Sequence, residues 1–156
     1  MEILKLDRAD LDQLHAMICE TIDASYRDVY PPRAVAFFKR YHAKKRILAR
    51  SKIGETLVLV SRVDGLVVAT GSLVEGEIAG VFVRPQLQRQ GYRKTIMTYL
   101  EKLALEKGMS RVQLNISLPS LAFYEHLGYE ILEERALHLG EGQYLRHWLA
   151  EKKLAV

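Results

Sequence analysis

The residues best suited to chemistry cluster between Glu77 and Lys107, EIAGVFVRPQLQRQGYRKTIMTYLEKLALEK. The run Ile78 to Arg84 reads as a strand and stops at Pro85. A polar loop follows, Gln86 to Gln90, and then Gly91. From Arg93 the apolar residues Ile96, Leu100, Leu103 and Ala104 fall at helical spacing, and Gly108 stands where a helix-ending glycine belongs. A strand, a glycine-bearing turn and a helix aim backbone N–H groups and the positive end of a helix dipole at one point. The chemistry this suits is binding of an anion, a phosphate above all. By itself, Gly91 would do no more than turn a strand into a helix.

The flanking elements must hold that turn in place. Glu2 to Leu6 alternates and reads as a first strand. Asp7 or Asp10 can cap a helix from Leu11 to Ala24, whose Leu11, Leu14, Ile18 and Ile22 form one stripe. Pro31-Pro32 opens a second helix, to about His42, and Lys44 to Arg50 adds a further turn or two. Thr56 to Val63 and Leu66 to Val74 read as strands joined at Asp64-Gly65, a two-residue hairpin signal. Glu75-Gly76 turns into the strand before the loop. Beyond Gly108, Arg111 to Ile116 is an alternating strand, parallel to the one before the helix because a crossover joins them. A short helix, Ser120 to Leu127, and strands Tyr129 to Glu134 and Tyr144 to Lys152 complete the chain. No composition shift marks a boundary, so residues 1–156 read as a single domain.

Composition narrows the function. The chain has 156 residues, enough to bury roughly 70% of its unfolded surface without disulfides or metal. Its one cysteine, Cys19, excludes an internal disulfide framework and fits a reducing cytoplasm. No apolar run approaches the ~20 residues needed to cross a bilayer, so no membrane partner is expected. Five scattered histidines and no metal-ligand spacing argue against a metal site, and these histidines read as satisfied surface or core groups. Charge is uneven: Arg33, Lys39, Arg40, Lys44, Lys45, Arg46, Arg50 and Lys52 fall between Val29 and Gly54 with no acid among them. That run is a solvated helix face or a patch for an acidic protein, RNA or a phosphorylated ligand.

Three stretches carry a resemblance. Pro85-x-x-Gln88-Arg89-Gln90-Gly91-x-Arg93 resembles the coenzyme A loop of the GNAT superfamily of N-acetyltransferases, Q/R-x-x-G-x-G/A. Ser117-x-x-Ser120-x-x-Phe123-Tyr124-Glu125-x-x-Gly128-Tyr129 is similar to the family's N-x-x-A-x-x-F-Y-E-x-x-G-F segment. Tyr144-x-x-x-Trp148-x-x-x-Lys152-x-Leu154 looks like its closing strand. Three positions depart from the pattern: Arg93 replaces Gly or Ala, Ser117 replaces Asn and Ser120 replaces Ala.

The resemblance implies an α/β (α+β) fold. Its mixed central sheet of about seven strands is flanked by helices and splayed between strands four and five. It implies an acetyl-CoA dependent N-acetyltransferase acting by direct attack of a primary amine through a tetrahedral intermediate, with no metal. Arg89, Gln90, Gly91, Tyr92 and Arg93 would offer amides to the diphosphate, with Gln88 and Ser117 beside the cofactor. The backbone of Val81, Phe82 and Val83 would hold the pantetheine arm and polarise the thioester carbonyl. Tyr124 would protonate the leaving thiolate; otherwise it is a core aromatic. Glu77 would take the amine's proton, directly or through water, with Glu75 second; otherwise Glu77 is an exposed strand-end carboxylate. Arg93 is expected to fold outward and add charge for a phosphate. Tyr26, Tyr30 and Arg33 are candidate contacts for a small-molecule or peptide amine acceptor. Dimers are common among similar proteins, so a homodimer is one expected form. Nucleic acid is a partner only in the alternative reading, a catalytically weak GNAT-fold binding module that uses the basic run on RNA or an acidic protein.

Overall fold

The computed structural model describes residues 1–155. Seven strands form one sheet among them: β1 (Glu2–Lys5), β2 (Glu55–Val60), β3 (Val67–Val74), β4 (Glu77–Val83), β5 (Arg111–Ser117), β6 (Glu130–His138) and β7 (Tyr144–Lys153). The order is β1-β2-β3-β4-β5-β7-β6. The helices are α1 (Leu11–Tyr26), α2 (Pro32–Tyr41), α3 (Lys44–Ile53), α4 (Tyr92–Glu106) and α5 (Leu121–His126). As expected, β4 and β5 run parallel, joined through α4.

Strand alternation puts a core on each face. Leu57 and Leu59 of β2 join Ile96, Met97, Leu100 and Ala104 of α4 in one cluster. Val58 joins Leu14, Met17, Ile18 and Ile22 of α1 and Ile47 of α3 in another. The period of β5 is equally plain: Val112, Leu114 and Ile116 are buried, while Gln113 and Asn115 are exposed. A third, smaller cluster seats α2 against β7 through Tyr30, Ala34 and Leu145.

Two local readings need correction. Asp64-Gly65 is not a two-residue hairpin: Ser61 and Leu66 close the connection by a 2.9 Å hydrogen bond. Only Gly65 has positive φ there, whereas the type I′ turn that Asp-Gly favours needs two such residues. Asp64 Oδ1 instead accepts from the Leu66 amide at 3.0 Å. The tight turn occurs at Glu75-Gly76, with φ of 50° and 82°. The sixth strand also runs on to His138 rather than stopping near Glu134, because its pairing with β7 supplies the extra length.

Gly71 sets how closely α4 lies on the sheet. A Cβ there would fall 2.7 Å from Leu100 Cδ1 and 2.9 Å from Ile96 Cγ2. Gly71→Val is expected to cost about 1–3 kcal/mol by overpacking, read as a lowered urea midpoint with an unchanged m-value.

Candidate active site

The loop between β4 and α4 has the geometry of an anion cradle. Arg89 and Gly91 both adopt left-handed backbone, with φ of 63° and 87°. Gly91 takes this conformation without strain, and the helix starts at the next residue. The amides of Arg89 through Lys94 find no backbone acceptor among the described residues; the first closed bond is Thr95 N–H to the Gly91 carbonyl, 3.0 Å. Gln88 turns the other way and donates Nε2 to the Val83 carbonyl at 3.1 Å. It anchors the loop to the strand.

Behind the loop the sheet opens. β4 and β5 share only the register pairs Glu77↔Gln113 and Ile78↔Leu114. A bulge helps to part them: between Thr70↔Phe82 and Ser72↔Ala79, β3 has one residue and β4 has two, Gly80 and Val81. Gly80 takes a φ of 63° there. A groove of about 490 Å³ lies on the loop side, lined by Val81, Phe82, Val83, Gln88, Arg89, Gly91, Tyr92 and Arg93. A cavity of about 250 Å³ lies on the other side, lined by Glu77, Ser117, Tyr124 and His147 with the aromatics of α2. Tyr26, Val81, Phe82 and Ser120 line both.

Tyr124 is buried, with its ring edge-on to Phe123 and Tyr129 at centroid distances of 5.0 and 5.7 Å. Burial pushes its phenol well above the ordinary 10.0, against a smaller downward pull from Arg93. The phenol therefore holds its proton at neutral pH. Glu77 is exposed at the start of β4, and Asn115 Nδ2 donates to its Oε1 at 3.4 Å. Glu75 lines neither space.

The sequence profile of the acetyltransferase (GNAT) family matches residues 16–129. The chain belongs to that family. By sequence alone, no curated protein matches it. Its fold is similar to that of a GCN5-related N-acetyltransferase from Rhodopseudomonas palustris, with a TM-score of 0.87 and 21% identity over 98% of this chain and 95% of that one. It is also similar to the PaiA N-acetyltransferase of Thermoplasma acidophilum, solved with coenzyme A, with a TM-score of 0.77 and 19% identity over 97% and 98% of the two chains. The ribosomal-protein-S18-alanine N-acetyltransferase of Escherichia coli gives 0.73 and 16% over 99% and 94%.

Several GNAT-derived expectations for single residues change. Arg93 does not fold outward. Its guanidinium crosses the groove to α5, 4.8 Å from the Phe123 ring centroid, and donates to Ser120 Oγ at 3.3 Å. Ser120 also accepts from Ser117 Oγ at 3.1 Å, and Ser117 accepts from the Tyr26 hydroxyl at 3.2 Å. The serines that replace the family's Asn and Ala thus build a hydroxyl chain from α1 to α4. Tyr30 lines neither space: its hydroxyl donates to the Arg146 carbonyl at 2.8 Å and accepts from the Leu118 amide at 2.9 Å. Arg33 pairs with Glu141 at 3.1 Å and donates to the Leu139 carbonyl, so it fastens the turn between β6 and β7. The Gln90 side chain is exposed and lines neither space, which leaves only its amide facing the cradle.

Two histidines were missed by sequence reasoning. Nδ1 of His42 and Nδ1 of His147 are both buried without a hydrogen-bond partner. Both line the cavity. His147 comes from β7, in register with Ser117, and burial lowers its affinity for a proton. Nothing in a lone histidine of the last strand signals this placement. His42 packs edge-on to Phe82 at 4.9 Å, and burial pushes its imidazole down to about 3 from the ordinary 6.5, with Arg50 acting in the same direction. Among the described residues, no cluster of three or more His, Cys, Asp or Glu is placed to hold a metal, and no helix is long and apolar enough to cross a membrane.

The His42 shift has a stability consequence. Between pH 6.5 and about 3 the unfolded imidazole binds a proton that the folded one refuses. Stability is therefore lost as pH falls through that window, by about 1.4 kcal/mol per unit. Urea midpoints measured from pH 7 to pH 4.5 are expected to fall, and His42→Leu is expected to flatten that slope.

Proposed function

We propose that the protein transfers an acetyl group from acetyl-CoA to a primary amine. One observation carries this reading: a cradle of unpaired amides opens into a parted sheet that leads to a protonated phenol and a carboxylate. The residues present suit coenzyme A. A diphosphate needs several fixed N–H donors, and Arg89 through Lys94 offer them at a helix start. A pantetheine amide chain needs an unpaired strand edge, and the backbone of Val81 to Val83 lies along one. Acetyl-CoA supplies an activated acyl group, and the protein's own residues do the rest.

Backbone N–H groups at the β4 bulge would stabilise the negative charge that develops on the thioester carbonyl oxygen. Glu77, held by Asn115, takes the proton that the amine must lose, directly or through water. His147, kept neutral by burial, is a second acceptor in the same cavity. Tyr124 returns a proton to the departing sulfur, and its burial keeps that proton available. The Ser117–Ser120 chain with Tyr26 fixes the wall beside it.

The reading is tested by thiol release from acetyl-CoA with a panel of amines. Tyr124→Phe is expected to lower kcat roughly 100-fold and leave the calorimetric Kd for coenzyme A within a factor of two. Glu77→Gln is expected to lower kcat/KM by roughly 10- to 100-fold. A wild-type protein that shows no heat with millimolar acetyl-CoA would overturn the proposal.

Arg93 gives a separate test. Its contact with the Phe123 ring contributes about 0.5–1 kcal/mol. A charge-assisted bond to a phosphate contributes about 1.5–3 kcal/mol. The guanidinium is therefore expected to leave Phe123 for the diphosphate, and Arg93→Ala is expected to weaken coenzyme A binding by roughly 5-fold. A gain in affinity would show instead that Arg93 obstructs the groove.

A further inference from the structure

The basic run of α2 and α3 divides into two sets. Arg33, Lys39 and Lys44 pair with Glu141, Asp23 and Asp12 at 3.1, 2.7 and 2.7 Å. Arg40, Lys45, Arg46, Arg50 and Lys52 have no carboxylate within 4.0 Å among the described residues. The three arginines gather over two rings of the cavity wall. Phe37 and Tyr41 stack at 6.0 Å with their planes 15° apart. Arg40 lies 5.9 Å from the Phe37 centroid, and Arg46 and Arg50 lie 5.6 and 5.9 Å from that of Tyr41. Arg50 reaches furthest inward. A Cβ at Gly80 would fall 3.0 Å from its Nη2, and Gly80 lines the cavity. Its Nε is buried without a partner, and its one protein bond is a long 3.4 Å contact to the Tyr41 carbonyl.

The cavity is thus polarised. Glu77 is the one carboxylate in its lining, on the sheet side. None of the three unpaired guanidiniums lines the cavity itself: they stand just outside it on the helix side, against Phe37 and Tyr41, and Arg50 comes nearest, beside Gly80. A ligand that satisfies both ends holds an ammonium near Glu77, an apolar body against Phe37 and Tyr41, and an anion at the arginines. We propose that the acceptor is an amine bearing a carboxylate beyond an apolar or aromatic spacer. This rests on the acetyltransferase reading of the same cavity. The acid can belong to a small molecule or to the first residues of a peptide; the shared chemistry is a carboxylate at a distance from the amine.

The test compares matched acceptors with the full-length protein. Benzylamine is set against 4-(aminomethyl)benzoate, and a peptide with an acidic third residue against its amide twin. The acidic member of at least one pair is expected to show kcat/KM roughly 10-fold higher at low salt, with the advantage shrinking as salt rises. The pair that responds separates the small-molecule from the peptide source. Arg46→Ala and Arg50→Gln are expected to bring the acidic-to-neutral ratio toward one, while Arg46→Lys keeps part of it. Turnover of amines without an acid preference would overturn this inference and leave the acetyltransferase reading standing. If acetyl-CoA binds but no amine turns over, calorimetry of the same pairs decides, and equal affinities overturn it. No binding of acetyl-CoA sinks both. Inhibition by poly-uridylate without a preference among amines would assign the arginines to a macromolecule and overturn it as well.

Discussion

The structure depends on an interruption: β4 and β5 stay paired for two register positions and then separate. Backbone N–H and C=O groups inside a sheet are ordinarily all paired, so an interior gap exposes donors and acceptors that only water or a ligand can meet. The gap is stable because each side is held independently. β4 remains bonded to β3 on its other edge, and β5 to β7 along its whole length. The glycine-bearing bulge lets β4 bend away without breaking that outer pairing.

The helices act as braces across the opening. Glu101 of α4 accepts from the Tyr129 hydroxyl at 2.9 Å and pairs with Lys152 of β7 at 2.8 Å. On the loop side, Tyr26, Ser117, Ser120 and Arg93 bridge α1, β5 and α4 by hydrogen bonds of 3.1 to 3.3 Å. Between these braces, the buried ring of Tyr124 lines the cavity and Val81 lines both spaces. Electrostatics follow the same division. Helix-start amides and cations face the groove, while Glu77, His42 and His147 line the cavity behind it and the unpaired arginines stand outside its aromatic wall.

Much of this was legible in the chain. The stripe of Leu14, Ile18 and Ile22, the alternation of Arg111 to Ile116 and the loop ending at Gly91 each carry a local signal strong enough to place an element within a residue or two. The resemblance around Gly91 and Tyr124 named the family before any coordinates. Side-chain direction was less legible. Arg93 at the first turn of a helix projects outward only if nothing opposite attracts it, and the Phe123 ring and Ser120 hydroxyl do so from a segment 27 to 30 residues away. Tyr30 looked like a pocket residue because it is an aromatic in a polar connection, yet two backbone groups claim its hydroxyl. The tight turn formed at Glu75-Gly76 and not at Asp64-Gly65, because a type I′ turn needs two left-handed residues and only the former pair supplies them.

Local pattern in the sequence by itself determined which segments are strands and helices and where the glycine-bearing turn lies, and the resemblance of its motifs pointed to the acetyltransferase family. Periodicity and turn chemistry act over a few residues, so they survive in the linear text. The tertiary structure alone decided that His147, His42 and the α2 aromatics share a cavity with Glu77, and that Arg33, Lys39 and Lys44 of the basic run find acids while Arg40, Arg46 and Arg50 do not. Those outcomes follow from contacts between segments far apart in the chain. Such contacts are set by how two sheet faces and five helices pack together, which no short window of residues encodes.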